Sequence, residues 1–133
     1  MANALFNPGR EGILDTTIPM TGDIRVMLAL SSYVFVASHK FLADLGVVDN
    51  GRSTALQNKT YTSGVFDADD ITLVATAASA SGALIVFYHT GSDATARVIA
   101  YIETPASGLP MTPSAGQTVN IVWDAGLNRI FKL

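Results

Sequence analysis

Two apolar runs near the middle of the chain set the pattern of the whole sequence. Residues 83–88 (ALIVFY) and 98–102 (VIAYI) flank a polar segment that contains Gly91, Ser92 and Asp93. Runs of this length around a glycine-containing turn are typical of two antiparallel strands joined by a loop. Neighbouring side chains of a strand point to opposite faces, and here both sets are apolar. The pattern therefore predicts a hairpin that is covered on both faces.

The sequence suggests different covers for the two faces of this hairpin. Leu84, Val86 and Tyr88 point to one face, and Ala83, Ile85 and Phe87 point to the other. One of these two faces is expected to pack on the core of the domain. Because the interior of a two-sheet sandwich covers one face only, we expect the remaining face to contact another subunit. The loop at residues 104–116, which carries three prolines, is the competing cover from within the chain.

The rest of the chain alternates short apolar or β-branched runs with turns. In the first of these runs Ile24, Val26 and Leu28 share one face, as expected for a strand. The last two runs predict a terminal hairpin around a turn at residues 124–126. Strands are predicted at residues 23–30, 53–56, 59–62, 71–77, 83–88, 98–102, 117–124 and 127–133.

This pattern predicts an all-β fold, an antiparallel β-sandwich or jelly roll of about 7–9 strands with one short helix. The helix is expected at residues 39–45, where Ser38 can cap its start and Gly46 its end. Residues 1–22 carry scattered apolar side chains interrupted by NPGREG, and they predict an extended N-terminal arm. The arm lies either on its own domain or on a neighbouring subunit. Residues 23–133 are expected to form a single β-sandwich domain.

Composition indicates a surface that other protein covers. Of the 133 residues, 49% are hydrophobic and 14% are charged, whereas soluble domains carry about 25% charged residues. No apolar run approaches the roughly 18 residues of a membrane-spanning helix, and the N-terminal residues show no secretory signal. We therefore expect a protein that is made in a cytoplasm and has no membrane partner.

Charge and side-chain chemistry reduce the number of function classes that the sequence supports. The net charge is −3 and the basic residues are scattered, so nucleic acid is not an expected partner. The chain has no cysteine, and its two histidines, His39 and His89, lack ligand-like neighbours. Asp67, Asp69 and Asp70 stand close together but lack the glycine and glutamate of a calcium loop, so a turn is expected. The sequence predicts no catalytic residue, no metal site and no cofactor.

The order of the segments resembles a known class of proteins. The chain opens with ALFNPGREGIL before the strand DIRVMLAL, continues with SGVFDADDITL and LIVFYHTGSDATARVIAYIET, and closes with GLPMTPSAGQTVNIVWDAGLNRIFKL. This layout resembles the capsid decoration, or cement, proteins of tailed bacteriophages. The resemblance implies a β-sandwich or jelly roll without catalysis that binds the major capsid protein, commonly as a homotrimer. It also implies synthesis in the host bacterial cytoplasm and a final location on the capsid surface of the virion.

Contacts with the shell or with neighbouring subunits are expected from apolar side chains outside the strands. These candidates are Leu5, Phe6, Ile13, Leu14, Leu109 and Met111. Two other functions stay open on the sequence. A tail-associated or lectin-like binding module would stack Trp123 or Tyr101 on a sugar. A small hydrolase would draw its carboxylate and its base from Asp67, Asp69, Glu103 and His89.

Overall fold

The computed structural model describes residues 3–105, 109–127 and 129–133, which form nine strands, one α-helix and two 3-10 turns. The strands and the helix are β1 (Ala4–Leu5), α1 (Asn7–Leu14), β2 (Ile24–Leu30), β3 (Asp49–Arg52), β4 (Val65–Phe66), β5 (Ile71–Val74), β6 (Ser81–Tyr88), β7 (Val98–Ile102), β8 (Thr118–Ile121) and β9 (Phe131–Lys132). All strand pairs are antiparallel, so the predicted all-β, sandwich-like fold is confirmed. Within the described ranges, no helix has the length and apolar character needed to cross a membrane.

Five strands form the central sheet, in the order β1-β7-β6-β2-β3, and two small sheets, β5-β8 and β4-β9, complete the fold. The predicted hairpin of β6 and β7 is confirmed, with Val86 opposite Ala100. The predicted terminal hairpin is wrong, because β8 pairs with β5 and β9 pairs with β4. Asp70 helps to set this pairing, since its Oδ1 accepts the backbone N–H of Trp123 at 2.9 Å. That bond keeps the chain after β8 beside the start of β5.

The first face of the central sheet packs against the two small sheets. Ile24, Val26 and Leu28 of β2 are all completely buried in this core, as their alternation predicts. Leu73 of β5 and Ile121 of β8 belong to the same buried cluster. Each fully buried aliphatic side chain contributes about 1.5–3 kcal/mol relative to an exposed one. The alternation along β2 therefore reflects a face that stabilises the sandwich.

The second face of the central sheet is also covered, and the cover comes from the same chain. Ile85 and Phe87 of β6 are completely buried in a second cluster, together with side chains from the irregular residues 33–48. Phe6 joins this cover, and its ring centroid lies 4.9 Å from that of Phe35. The expected contact of this face with another subunit is therefore wrong. A single chain already removes both faces from water.

The proline loop lies on the first side of the sheet and is not the second cover. Leu109 and Met111 pack against the first cluster. Met111 and Ser81 of β6 exchange two backbone hydrogen bonds of 2.8 and 3.0 Å. The described part of the loop thus extends the first core, and residues 106–108 lie outside the described ranges.

The α-helix lies in the segment for which the sequence predicts an extended arm. α1 carries Pro8 in its first turn, where the missing N–H costs no intrahelical bond. Gly9 and Gly12 argue against a helix by propensity, since each costs about 1 kcal/mol relative to alanine. A Cβ on Gly9, however, would lie 2.8 Å from the carbonyl oxygens of Val98 and Ile99 in β7. Close packing on the sheet overrides propensity, so the extended conformation predicted for these residues is wrong.

The helix predicted at residues 39–45 is wrong as well, because only the 3-10 turn Leu42–Leu45 forms there. Asp44 fixes this turn, since its Oδ2 accepts the backbone N–H groups of Lys40 and Phe41 at 3.0 and 2.9 Å. Both leucines of the turn lie in the second cluster. The segment therefore serves as part of the cover of the second face.

Candidate partner-binding surface

The six predicted contact residues differ in exposure. Leu5 and Phe6 are 7% and 0% exposed, so the expectation that they lie on the surface is wrong. Their side chains complete the first and the second cluster, respectively. Leu14, at the end of α1, is 80% exposed. The residues that pack half-buried against the first cluster are Ile13, Leu109 and Met111.

Ile13 also lines an open groove beside the first core, which we call the apolar groove. Its volume is about 210 Å³ and its walls are almost entirely carbon. The walls come from α1, the segment that follows it, the turn before β4, and β9. The lining residues are Ile13, Met20, Tyr61, Gly64, Val65, Phe66, Phe131 and Leu133.

Aromatic contacts and one hydrogen bond shape the apolar groove. Phe66 of β4 and Phe131 of β9 are paired across the two strands, with ring centroids 5.1 Å apart. Tyr61 lies with its ring centroid 5.9 Å from that of Phe66. Its hydroxyl donates to the carbonyl oxygen of Met20 at 2.9 Å. That bond holds the tyrosine ring at the rim of the groove, where 42% of the residue stays exposed.

A tight turn before β4 brings the opposite wall into place. Ser63 and Gly64 both have positive φ angles, of 56° and 76°, and glycine adopts this conformation without steric cost. The turn lets the backbone N–H of Leu133 donate to the carbonyl oxygen of Gly64 at 3.0 Å. Leu133 thereby closes one side of the groove while 54% of the residue is exposed.

The lining of the apolar groove suits contact rather than chemistry. Tyr61 is the one titratable side chain among the lining residues, and burial raises the pKa of its phenol. The groove thus presents no charged side chain, no base and no nucleophile. Small-molecule sites usually enclose about 300–1,000 Å³, so this groove is sized for one or two side chains of a partner. It is the candidate functional site of the described surface.

The histidines and aspartates highlighted by the sequence serve local structure. His39 Nδ1 lies 3.0 Å from the Tyr33 hydroxyl, and the ring centroid of His89 lies 6.5 Å from that of Phe87 in a T-shaped arrangement. Asp69 Oδ2 accepts the amide N–H of Asn58 at 2.6 Å. In the part of the chain that the structure describes, no three His, Asp or Glu side chains form a group that could hold a metal ion.

Trp123 and Tyr101 are buried, at 5% and 6% exposure. The Nε1–H of Trp123 donates to the carbonyl oxygen of Asp69 at 3.1 Å. The Tyr101 hydroxyl donates to Glu103 Oε1 at 2.6 Å. The pKa of this phenol is raised, mainly because the phenol is buried and also because it is hydrogen-bonded to the Glu103 carboxylate. Neither ring presents a free face to solvent. The sugar-binding alternative therefore loses the exposed aromatic side chain that it requires.

One buried polar residue has no counterpart in the sequence analysis. Asn50 of β3 is completely buried. Its Oδ1 accepts the backbone N–H groups of Thr76 and Ala77 at 3.1 and 2.8 Å, and its Nδ2 donates to Ser81 Oγ at 2.9 Å. The sequence signal at this place, Asn50-Gly51, indicates only a turn. The fold uses it to join the central sheet to the chain after β5.

An ion-pair network on the other side of β3 is also invisible in the sequence. The guanidinium of Arg52 donates to both carboxylate oxygens of Asp93 at 2.8 Å and to Asp49 Oδ2 at 2.7 Å. The bonds from Arg52 lower the pKa of Asp93. Residues 52 and 93 are far apart in sequence, so only the fold brings them together. The network ties the loop between β6 and β7 to the sheet edge.

No protein-family model matches the chain, and neither a curated protein nor a solved structure matches it. The geometry of the apolar groove and the sequence are therefore the observations that bear on function.

Proposed function

We propose that the protein is a non-enzymatic structural protein of a tailed-phage virion, a capsid decoration or cement protein that binds the assembled shell and stabilises it. The observation that carries the proposal is the apolar groove, an open and uncharged surface that the folded chain leaves uncovered. The low content of charged residues, 14%, supports a surface made for contact. The resemblance in sequence layout supports the same class of protein.

The proposed partner is the major capsid protein, which inserts one or two apolar side chains into the groove. Burial of one aliphatic side chain contributes about 1.5–3 kcal/mol. Leu14, next to the groove-lining Ile13, offers a further exposed apolar contact. A protein that binds only the assembled shell favours that state by mass action. A modest contact that is repeated over many copies then stabilises the shell without any catalysed reaction.

The proposal includes a homotrimer that forms only when the protein binds the shell. The chain covers both faces of its own central sheet, so the hairpin needs no second subunit for its burial. The exposed large apolar side chains include Leu14, Val34, Val47 and Leu127. They come from separate segments of the chain. We therefore propose a folded free monomer whose copies meet as trimers where shell subunits place them.

The test uses capsid shells from a phage mutant that lacks the protein. Added wild-type protein is expected to sediment with the shells and to raise the temperature at which they dissociate. Leu133→Asp places a charge in the wall of the apolar groove. We expect this change to weaken shell binding by at least about tenfold, which corresponds to about 1.4 kcal/mol.

Val47→Asp is the matched control, because Val47 is 97% exposed and does not line the groove. Circular dichroism first verifies that both variants fold. The control is expected to bind shells like the wild type. Equal binding of Leu133→Asp and wild type would remove the groove from the proposal. Failure of the wild type to bind the shells would overturn the proposed function itself.

A further inference from the structure

A second hollow lies on the other side of β9, between this strand and β1. Its volume is about 230 Å³, and we call it the cationic cleft. Residues 3–5 line one wall and residues 130–132 line the other, with Ile102 of β7 also in the lining. Phe131 lines both this cleft and the apolar groove. The two hollows therefore flank the same short strand.

Both walls of the cationic cleft are edge strands. In the described ranges β1 pairs with β7 alone and β9 pairs with β4 alone. Phe6 donates its backbone N–H to Ile99 of β7 at 3.0 Å. Backbone groups of successive residues in a strand point in opposite directions, so the N–H and C=O of Leu5 face away from β7. Leu5 also lines the cleft, which places strand-type hydrogen-bonding groups at its wall.

The charges around the cleft are strongly one-sided. Its lining includes the cations of Arg10, Arg129 and Lys132 and one carboxylate, that of Asp124. All four residues are exposed. The Asp124 side chain is engaged in a turn, where Oδ1 accepts the backbone N–H of Gly126 at 3.0 Å. This concentration stands out on a chain with 8 basic residues and a net charge of −3.

Among the described residues, no ion pair or side-chain hydrogen bond engages the side chains of Arg10, Arg129 and Lys132. The ion pairs among the described residues involve Arg25 and Arg52 and leave the cleft cations free. Cations that stay unpaired on an acidic protein are available to an anionic partner. An extended segment suits a wall made by an edge strand, because it can add to the sheet through backbone hydrogen bonds.

We propose that the cationic cleft binds an extended acidic segment of another protein as an added strand along β1. The carboxylates of the segment meet Arg10, Arg129 and Lys132, and its backbone pairs with the outward groups of Leu5. This inference stands apart from the proposed function, because the acidic segment need not belong to a capsid protein. It predicts recognition that weakens with salt, since exposed charge pairs are screened over about 10 Å at 0.1 M ionic strength.

The test measures fluorescence anisotropy of a labelled peptide of alternating glutamate and valine, added to the full chain at low ionic strength. The expected result is saturable binding that a tenfold rise in salt weakens at least about tenfold. The double variant Arg10→Glu and Lys132→Glu is expected to lose at least about tenfold in affinity for the peptide. Lys40→Glu, a change of an exposed lysine outside the cleft, is the matched control and should leave the affinity within about twofold.

Strand addition is tested with the same peptide N-methylated at alternate residues. N-methylation removes backbone donors without changing the charge, so we expect it to weaken binding at least about fivefold. Unchanged affinity of the methylated peptide would overturn the strand arrangement. Equal binding by the double variant, absence of binding at low salt, or equally tight binding of a single-stranded oligonucleotide would each overturn the proposed acidic-segment site.

Discussion

The two faces of the central sheet are buried to the same extent by different means. Leu84 and Ile85 are neighbours on β6, and both are 0% exposed. Leu84 shares its cluster with strands of the small sheets, which are held by regular backbone ladders. Ile85 shares its cluster with residues 33–48, where the longest regular element is a 3-10 turn of 4 residues.

An irregular cover has to satisfy its buried backbone groups one at a time. The backbone N–H groups of Leu42 and Ala43 donate to the carbonyl oxygens of Ala96 and Asp93, at 2.9 and 3.1 Å. Asp44 accepts two further N–H groups with its side chain. Burial of a sheet face therefore does not depend on the regularity of its cover. We expect regularity to govern how firmly that cover is held.

The strongest test of this comparison is the pair of variants Leu84→Ala and Ile85→Ala. Removal of a buried large aliphatic side chain costs about 2–5 kcal/mol, and the cost falls where the surroundings collapse into the cavity. We expect a loss of about 4 kcal/mol for Leu84→Ala. For Ile85→Ala we expect about 2–3 kcal/mol, because the irregular cover can move inward. Urea unfolding monitored by Trp123 fluorescence measures both values.

Hydrogen exchange in the wild type supplies the control for this pair. The amides of residues 33–48 are expected to exchange through smaller openings than those of β5 and β8. Equal protection of the two covers, or a larger loss for Ile85→Ala than for Leu84→Ala, would contradict the comparison.

Asn50 joins the cover of the first face to the central sheet, and Asn50→Ala should be the next most damaging change. It leaves the partly buried backbone N–H groups of Thr76 and Ala77 without their acceptor, and the loss of each such hydrogen bond costs about 0.5–1.5 kcal/mol. We expect a total loss of about 2–3 kcal/mol in the free energy of unfolding. Asn120→Ala, at an exposed position of β8, serves as control with an expected change within about 0.5 kcal/mol.

Asp44 has the corresponding role in the cover of the second face, but it is exposed. Asp44→Ala removes the acceptor of the Lys40 and Phe41 N–H groups. Loss of such a cap costs about 1 kcal/mol. Faster exchange should be confined to residues 40–48, and a change spread over β5 and β8 would show that the two covers are not independent.

The smallest expected effect is the pH dependence of the free energy of unfolding that the Arg52–Asp93 pair produces. The hydrogen bonds from Arg52 lower the pKa of Asp93 in the folded protein. The stabilisation is therefore complete above the unfolded carboxyl pKa of about 3.9 and is lost as the pH falls through the lower folded value. Because both side chains are partly exposed, at 30% and 52%, we expect about 0.5 kcal/mol.

Unfolding of wild type and Asp93→Asn between about pH 5 and pH 2.5 measures this contribution. The advantage of the wild type should shrink toward the acid end. In an Arg52→Met background, Asp93→Asn should change the pH profile little, because the partner of the Asp93 carboxylate is then gone. A wild-type advantage that grows on acidification would have the wrong sign for the Arg52–Asp93 pair.

The sequence predicts those parts of the fold whose partners lie nearby in the chain. The hairpin of β6 and β7 follows from two local apolar runs, and the face of β2 follows from its alternation. The pairing of β8 with β5 is not local, so the sequence predicts instead a terminal hairpin between two adjacent apolar runs. The sequence does not predict α1, because its glycines allow close packing on β7. Helix propensity is a local quantity and takes no account of such packing.

The candidate sites were predictable only in part, for the same reason. Ile13 was identified as a contact residue, but the apolar groove also needs Met20, the turn before β4 and β9, which are separated by long stretches of chain. The cationic cleft collects basic residues from both ends of the sequence, where they look scattered. Composition indicated a contact surface. The location that we propose for this surface, the apolar groove, comes only from the fold.

The central claim is that one chain covers both faces of its own sheet and is folded before it meets a partner. The most direct test is the midpoint of thermal unfolding over a roughly hundredfold range of protein concentration in the absence of shells. We expect an unchanged midpoint, since folding and burial are completed within a monomer. A midpoint that rises with concentration would contradict it and would show that a second subunit completes the core.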